Sequence, residues 1–259
     1  PAQTGRARVL RFIPQANLTT LDPVWTTATV TNNHSYYVFD TLFGQDENLK
    51  PQPQMADWTV SDDNLTYTFT LREGVTFHGG DAMTSADVVA SLNRVLAENT
   101  GSPLASRLAA VDSIETPDDS TVVLNLSAPS APLLSSLTSI AIVPAKYEDD
   151  TDSLQRAPDG TGPFKFVSWQ PDVAITLEAN ADYWDEERPA LEGVVFNIVP
   201  EAATRQVGLN SGQYQMLPNI DGVMAQQFQG AGGVQLEETL ELAYSLIGIN
   251  VSRPPFDNA

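Results

Sequence analysis

The residues that could do chemistry are few, and their spacing does not suit catalysis. His34 and His78 are the only histidines, so a zinc site with several histidine ligands is excluded and a catalytic triad would depend on one of these two. The chain has no cysteine, which excludes disulfides, thiol catalysis, iron–sulfur clusters and cysteine-bound zinc. Residues 208–212, GLNSG, carry their serine one position too late for a nucleophile elbow. We therefore expect no enzymatic activity.

Clustered acidic residues are the second type of chemical candidate. Residues 148–152, EDDTD, have the carboxylates of a calcium site but no glycine at the bend, which favours a solvated loop. The acidic pairs at 186–187 and 237–238 could serve glycoside hydrolysis only if two carboxyl groups flanked one bond, and neighbouring acids mostly point apart. Residues 160–163, GTGP, lack the lysine and hydroxyl of a phosphate-binding loop and predict a turn. We expect no metal and no cofactor, and a carboxylate-dependent hydrolase is a remote alternative.

The acidity of the chain restricts its partners. Its 259 residues include 33 Asp and Glu against 13 Lys and Arg, which gives a formal net charge of −20. Such a surface repels nucleic acid and anionic membranes over about 8–10 Å in ordinary salt. No apolar run approaches the roughly 20 residues that cross a bilayer, and the amino end has no features of an export signal. We expect no nucleic-acid partner, no direct membrane insertion and a chain whose signal peptide has been removed.

Residues 65–96, LTYTFTLREGVTFHGGDAMTSADVVASLNRVL, give the clearest structural pattern. Tyr67, Phe69 and Leu71 alternate with polar residues, which predicts a half-buried strand. Residues 73–74 predict a turn, and residues 75–77 predict a second strand after it. Thr84 stands three residues before an aspartate, which predicts a capping box and a helix behind it.

Strand and helix patterns alternate along the rest of the chain. Apolar and aromatic residues at 36–43 predict a helix that Gly44 ends. Strands are predicted within 109–126 and at 164–169, 174–179 and 193–199, and helices at 129–137 and 202–211. This alternation predicts a mixed α/β fold. Trp25 and Tyr244 are aromatic residues outside a clear core pattern, and such residues can line ligand pockets, although core packing is the alternative.

Several ordered sequence blocks resemble one family. These blocks are LDP at 21–23, the helix at 37–43, the hairpin and helix of 65–94, GTGPF at 160–164, NADYW at 180–184, and TR at 204–205 continuing to Gly212. In this order they resemble the extracytoplasmic solute-binding proteins of family 5, the oligopeptide, dipeptide and nickel binders of ABC importers. Blocks that agree over about 230 residues are more specific than any single motif.

The resemblance implies the fold and its division into domains. It implies a periplasmic binding protein-like lobe (type II, cluster C) with an inserted α+β subdomain. Residues 1–32 would be the first segment of the lobe, 33–142 the inserted subdomain and 143–259 the second segment of the lobe. Residues 250–258, NVSRPPFDN, resemble the crossing to a second lobe, so that lobe is expected to be absent from this chain, as in a truncated form.

The resemblance also implies a function. Such a protein is the periplasmic substrate-binding component of an ABC importer, which captures a peptide-like solute in a cleft between two lobes and delivers it to a membrane permease. A receptor for a nickel chelate, haem or an oligosaccharide on the same scaffold is the alternative. The ligand-binding residues that the resemblance implies are Trp25, Thr26, Thr27, Ser139, Ile140, Leu242, Ala243, Tyr244 and Ser245.

Overall fold

The computed structural model describes residues 8–229 and 232–238 and has a mixed α/β fold, as predicted. Its described strands form two four-stranded sheets and one two-stranded sheet. The strands are β1 (Val9–Phe12), β2 (Phe43–Gln45), β3 (Pro51–Pro53), β4 (Ala56–Val60), β5 (Thr66–Leu71), β6 (Val111–Asp118), β7 (Thr121–Leu126), β8 (Phe164–Gln170), β9 (Ala174–Ala179) and β10 (Gly193–Asn197).

Six α-helices occur in the described part of the chain. They are α1 (Thr29–Val38), α2 (Ser85–Leu96), α3 (Leu133–Leu137), α4 (Ser153–Arg156), α5 (Ala202–Asn210) and α6 (Gly222–Phe228). Short 3₁₀ turns lie at Pro23–Trp25, Ala105–Leu108 and Ala145–Tyr147. The chain forms two compact units, residues 1–219 and 220–259, and α6 belongs to the second.

The first sheet joins the beginning of the chain to its later part, in the strand order β1-β10-β9-β8. β1 pairs with β10 in parallel, with Phe12 opposite Phe196, and the other pairs are antiparallel. The apolar face of this sheet includes Phe196, Ile175 and Leu177, and it packs in one core with Val38 of α1. The sequence patterns at 164–169, 174–179 and 193–199 predicted β8, β9 and β10 correctly.

The second sheet is antiparallel throughout, in the order β4-β5-β7-β6, and it has a core of its own. Tyr67, Phe69 and Leu71 of β5 are buried, which confirms the predicted alternation. α2 begins with the predicted capping box, because the amides of Thr84 and Asp87 are each bonded to the other residue's side chain. This local arrangement needs no distant partner, which is why the sequence alone indicated it.

Two predicted elements differ from the structure. Residues 75–77 form no strand, because β5 already has β4 and β7 as neighbours, and Thr76 makes only an isolated bridge to Ala82. The helix predicted at 36–43 instead spans Thr29–Val38, and Phe39 is extended. The buried side of α1 includes Thr31, His34 and Ser35. Because these residues are polar, the sequence has no apolar repeat at helical spacing in this segment.

Candidate functional site

A buried ion pair fixes the loop that carries Trp25, Thr26 and Thr27. Asp22 caps the 3₁₀ turn, because Val24 N donates to Asp22 Oδ1 at 3.0 Å. Arg94 Nη2 of α2 donates to the other carboxylate oxygen, Asp22 Oδ2, at 2.7 Å. Both side chains are at most 3% exposed, so neither charge has water as an alternative partner.

Two further hydrogen bonds support this arrangement, one on Arg94 and one on the loop itself. Arg94 Nη2 also donates to the carbonyl of Asp150 at 3.1 Å. Ser102 Oγ donates to the carbonyl of Val24 at 2.6 Å. The loop is therefore attached to α2 and to the segment before the Ala105–Leu108 turn, and the residues that follow Val24 start from a fixed position.

A second predicted segment, Ser139 and Ile140, lies beside this loop. Arg107 Nη1 donates to Ser139 Oγ at 2.5 Å, and Ser139 Oγ donates to the carbonyl of Ser136 at 2.7 Å. Ile140 is buried in the core of the second sheet. The side chain of Ser139 thus links the end of α3 to the 3₁₀ turn that carries Arg107.

A cavity of about 10 Å³ marks where these segments meet. This volume is about that of a single water molecule, so the cavity cannot be a solute site by itself. Ser139 and Ile140 line it beside the residues that precede Trp25, whereas Trp25, Thr26 and Thr27 themselves do not. Its lining comprises Asp22, Pro23, Val24, Ser91, Arg94, Val95, Leu104, Ser139, Ile140, Ala141 and Val143.

The predicted site residues differ in how accessible they are. Trp25 and Thr26 are half-buried, and Thr27 is exposed. Trp25 packs against the core of the second sheet, and its buried Nε1 has no hydrogen-bond partner among the described residues. The other four predicted residues, Leu242, Ala243, Tyr244 and Ser245, lie outside the described residues. Sequence patterns did not indicate the contact of Arg107 with Ser139, because the two residues are 32 positions apart.

The GTGPF and NADYW blocks form a second polar cluster, around Asp40. This carboxylate accepts hydrogen bonds from Tyr183 OH at 3.1 Å, Trp184 Nε1 at 3.0 Å, Gln54 Nε2 at 2.8 Å and Thr161 Oγ1 at 3.2 Å. Burial raises the pKa of Asp40, and these four hydrogen bonds act in the opposite direction. Satisfied in this way, Asp40 connects segments more than a hundred residues apart, which is a structural role.

The glycines of GTGPF permit a close backbone approach. A Cβ atom on Gly160 would lie 2.2 Å from the carbonyl oxygen of Val38, and one on Gly162 would lie 2.6 Å from the carbonyl carbon of Val38. Gly162 N donates to the carbonyl of Val38 at 2.9 Å. The block therefore packs against the end of α1, in agreement with the predicted turn.

The two histidines are placed for packing. His34 is 0% exposed beside Phe196, and burial lowers its pKa to about 4. Nε2 of His78 is hydrogen-bonded to the carbonyl of Gly162 at 2.9 Å, and burial lowers the pKa of His78 as well.

Across residues 8–229 and 232–238, His, Asp and Glu form no group of three that could hold a metal ion. Within the same ranges, every helix is too short or too polar to span a membrane.

Solved structures with this fold define the class of protein. The chain aligns with a PBP/SBP, MoaA from A. tumefaciens R10, solved in complex with mannopinic acid, with a TM-score of 0.89 and 28% identity over 98% of this chain and 53% of MoaA. The fold is thus that of a periplasmic binding protein, which confirms the predicted fold class.

The sequence comparisons identify the family. The model of the bacterial extracellular solute-binding proteins, family 5 Middle, matches residues 50–259, and the chain belongs to this family. The chain is 28% identical to the glutathione-binding protein GsiB of Pectobacterium atrosepticum over 94% of this chain and 48% of GsiB. It is 34% identical to heme-binding protein A of Haemophilus influenzae over 80% of this chain and 42% of that relative. The chain therefore spans about half the length of the curated relatives it matches.

Proposed function

We propose that the protein is the substrate-binding component of an ABC importer that captures a peptide-like solute and delivers it to a membrane permease. The match to the family model over residues 50–259 is the observation that carries this proposal. Closure of two lobes over a solute requires no covalent chemistry, because binding free energy alone can select the closed form. This mechanism suits the described residues, which include the two anchored segments at residues 25–27 and 139–140. Among them, no serine or threonine hydroxyl is hydrogen-bonded to a histidine base.

The proposed cleft is formed by the loop of Trp25, Thr26 and Thr27 together with Ser139 and Ile140. Support comes from the buried Asp22–Arg94 pair, which fixes the residues before Trp25, and from the cavity that Val24 lines together with Ser139 and Ile140. A rigid support is what a binding loop needs, since less conformational entropy is then lost on binding. The proposed cleft also includes four residues whose backbone groups would pair with an extended ligand: Leu242, Ala243, Tyr244 and Ser245.

A peptide-like solute is the leading ligand class, and the glutathione-binding relative supports it. The haem-binding relative keeps haem as an alternative, beside a nickel chelate or an oligosaccharide. Glutathione, haem and mannopinic acid differ in size and shape, but all three carry carboxylate groups. We extend this common feature to the solute of the present protein.

The cell compartment and the domain boundaries belong to the same proposal. We place the protein in the periplasm, in contact with the permease and without insertion into the membrane. The division at 32 and 142 is supported by the two sheets with separate cores. Because α1 packs with the first sheet, we move the first boundary from residue 32 to the end of this helix.

Ligand release and substitution of Trp25 test the proposed function. Mass spectrometry of small molecules released from the purified, denatured protein should identify a bound peptide-like solute. Trp25→Ala should weaken the binding of that solute at least several-fold, because the indole supplies apolar contact area. Trp58→Ala is the matched control, since Trp58 packs against the same core but lies outside the proposed cleft. Equal affinity of Trp25→Ala and wild type would remove the site, and peptide turnover would replace the binding function by an enzymatic one.

A further inference from the structure

The acceptor motif of N-linked glycans, asparagine followed two positions later by serine or threonine, occurs five times in the chain. The five motifs begin at Asn17, Asn33, Asn64, Asn125 and Asn250. Such a motif can be used only where its asparagine is at the surface, because the added sugar is bulky and hydrated. The motif at 250 lies outside the described residues, so the structure compares the other four.

Two of these four motifs lie inside regular secondary structure. Asn33 is within α1, and the serine of its motif, Ser35, is only 7% exposed. Asn125 is within β7, and its Nδ2 donates to Ser113 Oγ at 3.1 Å and to Glu115 Oε1 at 2.9 Å. A glycan at either position would displace part of a helix or a sheet.

The motif at Asn17 lies in an exposed loop, but its amide nitrogen is already used. Asn17 Nδ2 donates to Asp172 Oδ1, in the turn between β8 and β9. A hydrogen bond to a carboxylate is stronger than one between neutral groups. The nitrogen that would receive the sugar is therefore engaged in a contact that ties two distant segments together.

Asn64 combines the features that the other three asparagines lack. It is exposed in the turn that joins β4 to β5, within residues 62–66, DDNLT. Its φ of 59° lies in the left-handed region, which asparagine adopts more readily than most residues do. Its only hydrogen bond among the described residues is made by the backbone, where Asn64 N donates to the carbonyl of Ser61 at 2.9 Å. The side-chain amide of Asn64 is therefore both exposed and available.

The rest of the turn keeps its shape without the side chain of Asn64. Asp63 Oδ1 accepts hydrogen bonds from Ser61 Oγ at 2.6 Å and from Leu65 N at 3.1 Å. Thr66 N donates to Ser61 Oγ at 3.0 Å. The fold thus uses the backbone conformation of Asn64, and a modification of its amide would break no contact of the turn.

The hydroxyl group of the motif, on Thr66, is also within reach. Thr66 is the first residue of β5 and is half-buried. Among the described residues its Oγ1 makes one hydrogen bond, to Asn125 Oδ1, and at 3.3 Å this bond is long. Because the ends of strands open at little cost in free energy, the hydroxyl can be exposed while the sheet persists.

We propose that Asn64 carries an N-linked glycan, attached outside the cytoplasm. The donor is an oligosaccharide joined to a lipid through phosphate. In the transfer, Asn64 Nδ2 forms a bond to the anomeric carbon of the sugar, and the bond from this carbon to the phosphate oxygen breaks. The nitrogen loses one proton, and the lipid phosphate leaves as an anion. This inference goes beyond solute binding, but it rests on the proposed location of the protein.

A glycan at this turn would shield an edge of the second sheet. β4 pairs only with β5 in this sheet, so its other side is an open edge. Val60, at the end of β4 beside the turn, is 38% exposed. Open edges promote pairing between chains, and a hydrated sugar at the end of β4 hinders it. Protein from its own host should therefore aggregate more slowly on heating than the same chain made without the transferase, and equal rates would remove this protective role.

Mass spectrometry of the protein purified from its own host tests the assignment. Fragmentation of the peptide that contains Asn64 should place a mass of hexose or N-acetylhexosamine units on this residue. Asn64→Gly should lose the added mass completely but keep the turn, because glycine adopts a positive φ without strain. Thr66→Val should lose the added mass as well, whereas Thr66→Ser, which keeps a hydroxyl group, should retain it.

The motif at Asn17 supplies the matched control. Asn17→Gln removes the other exposed motif and should leave the added mass unchanged. The circular dichroism spectrum of every variant should match that of wild type, so that loss of the glycan is separated from loss of the fold.

The outcomes distinguish this inference from the proposed function. An unmodified Asn64 in protein recovered from outside the cytoplasm would show that the inference is wrong while the solute-binding proposal stands. A glycan on Asn17 instead of Asn64, or an added mass on Asn64 that Thr66→Val retains, would also contradict it. If cell fractionation finds the protein in the cytoplasm, the proposed location and this inference both fail.

Discussion

Acidification is expected to destabilise the protein through His34. The imidazole is 0% exposed beside Phe196, and neither ring nitrogen has a hydrogen-bond partner among the described residues. Protonation would place an uncompensated charge in the core of the first sheet, and burial therefore lowers the pKa of His34 from 6.5 to about 4. In the unfolded chain the same imidazole has an ordinary pKa, about 6.5.

The sign and size of the effect follow from these two pKa values. Above pH 6.5 His34 is neutral in both states and adds no pH dependence. As the pH falls from about 6.5 to about 4, the unfolded state binds a proton that the folded state does not, so stability is lost. Each pH unit in this window contributes about 1.4 kcal/mol, so the free energy of unfolding falls by about 3 kcal/mol near pH 4.

Urea unfolding of wild type and His34→Leu, at about pH 7 and about pH 4.5, measures this contribution. Carboxylates titrate in both proteins and cancel in the comparison. Between the two pH values wild type should lose about 2–3 kcal/mol more than His34→Leu. His78→Gln, which retains His34, should keep the His34-dependent part of this loss. Equal losses in wild type and His34→Leu would refute the reasoning, because His34 would then be protonated as readily in the folded state as in the unfolded one.

Two further predictions concern the elements that hold the site. Asp22→Ala leaves Arg94 buried without its carboxylate and should cost about 3–5 kcal/mol of stability in urea unfolding. The exposed Asp182, paired with a lysine, is the control, and Asp182→Ala should cost about 1 kcal/mol or less. Gly160→Ala places a methyl group against the backbone at the end of α1 and should lower the stability measured by thermal denaturation by about 1–3 kcal/mol or more. Gly222→Ala is the control, because a Cβ atom at Gly222 has no neighbouring atom within 4 Å, and it should be neutral or stabilising. Equal effects within either pair would contradict the corresponding contact.

Patterns within a few residues predicted much of the fold. The alternation of β5 and the capping box of α2 depend on neighbours two or three positions away, and both are as predicted. α1 shows where this reasoning stops. Tyr36 is 59% exposed while His34 is fully buried, the reverse of what hydrophobicity indicates, because the buried side of the helix carries polar residues beside Val30 and Val38. Only the tertiary packing against Phe196 decides which side is inside.

The candidate site was harder to predict because its contacts are not local. The resemblance to the family indicated the loop of Trp25 and the segment of Ser139, and of these Ser139 lines one small cavity with Val24, the residue before Trp25. It could not indicate Arg107, which meets Ser139 from 32 positions away, or the pairing of Asp22 with Arg94 across 72 positions. Contacts at such separations leave no periodic pattern in one sequence.

The pairing of β1 with β10 has a consequence for synthesis of the chain. Phe12 acquires its partner Phe196 only after about 180 further residues have been made, which at 5–20 residues per second takes roughly ten to forty seconds. The antiparallel sheet of β4 to β7 closes between Ala56 and Leu126, within a much shorter stretch. Local pairings form faster than distant ones. We therefore expect the second sheet to form first, while the first strand stays an unpaired edge, open to chaperones, until Phe196 has been made.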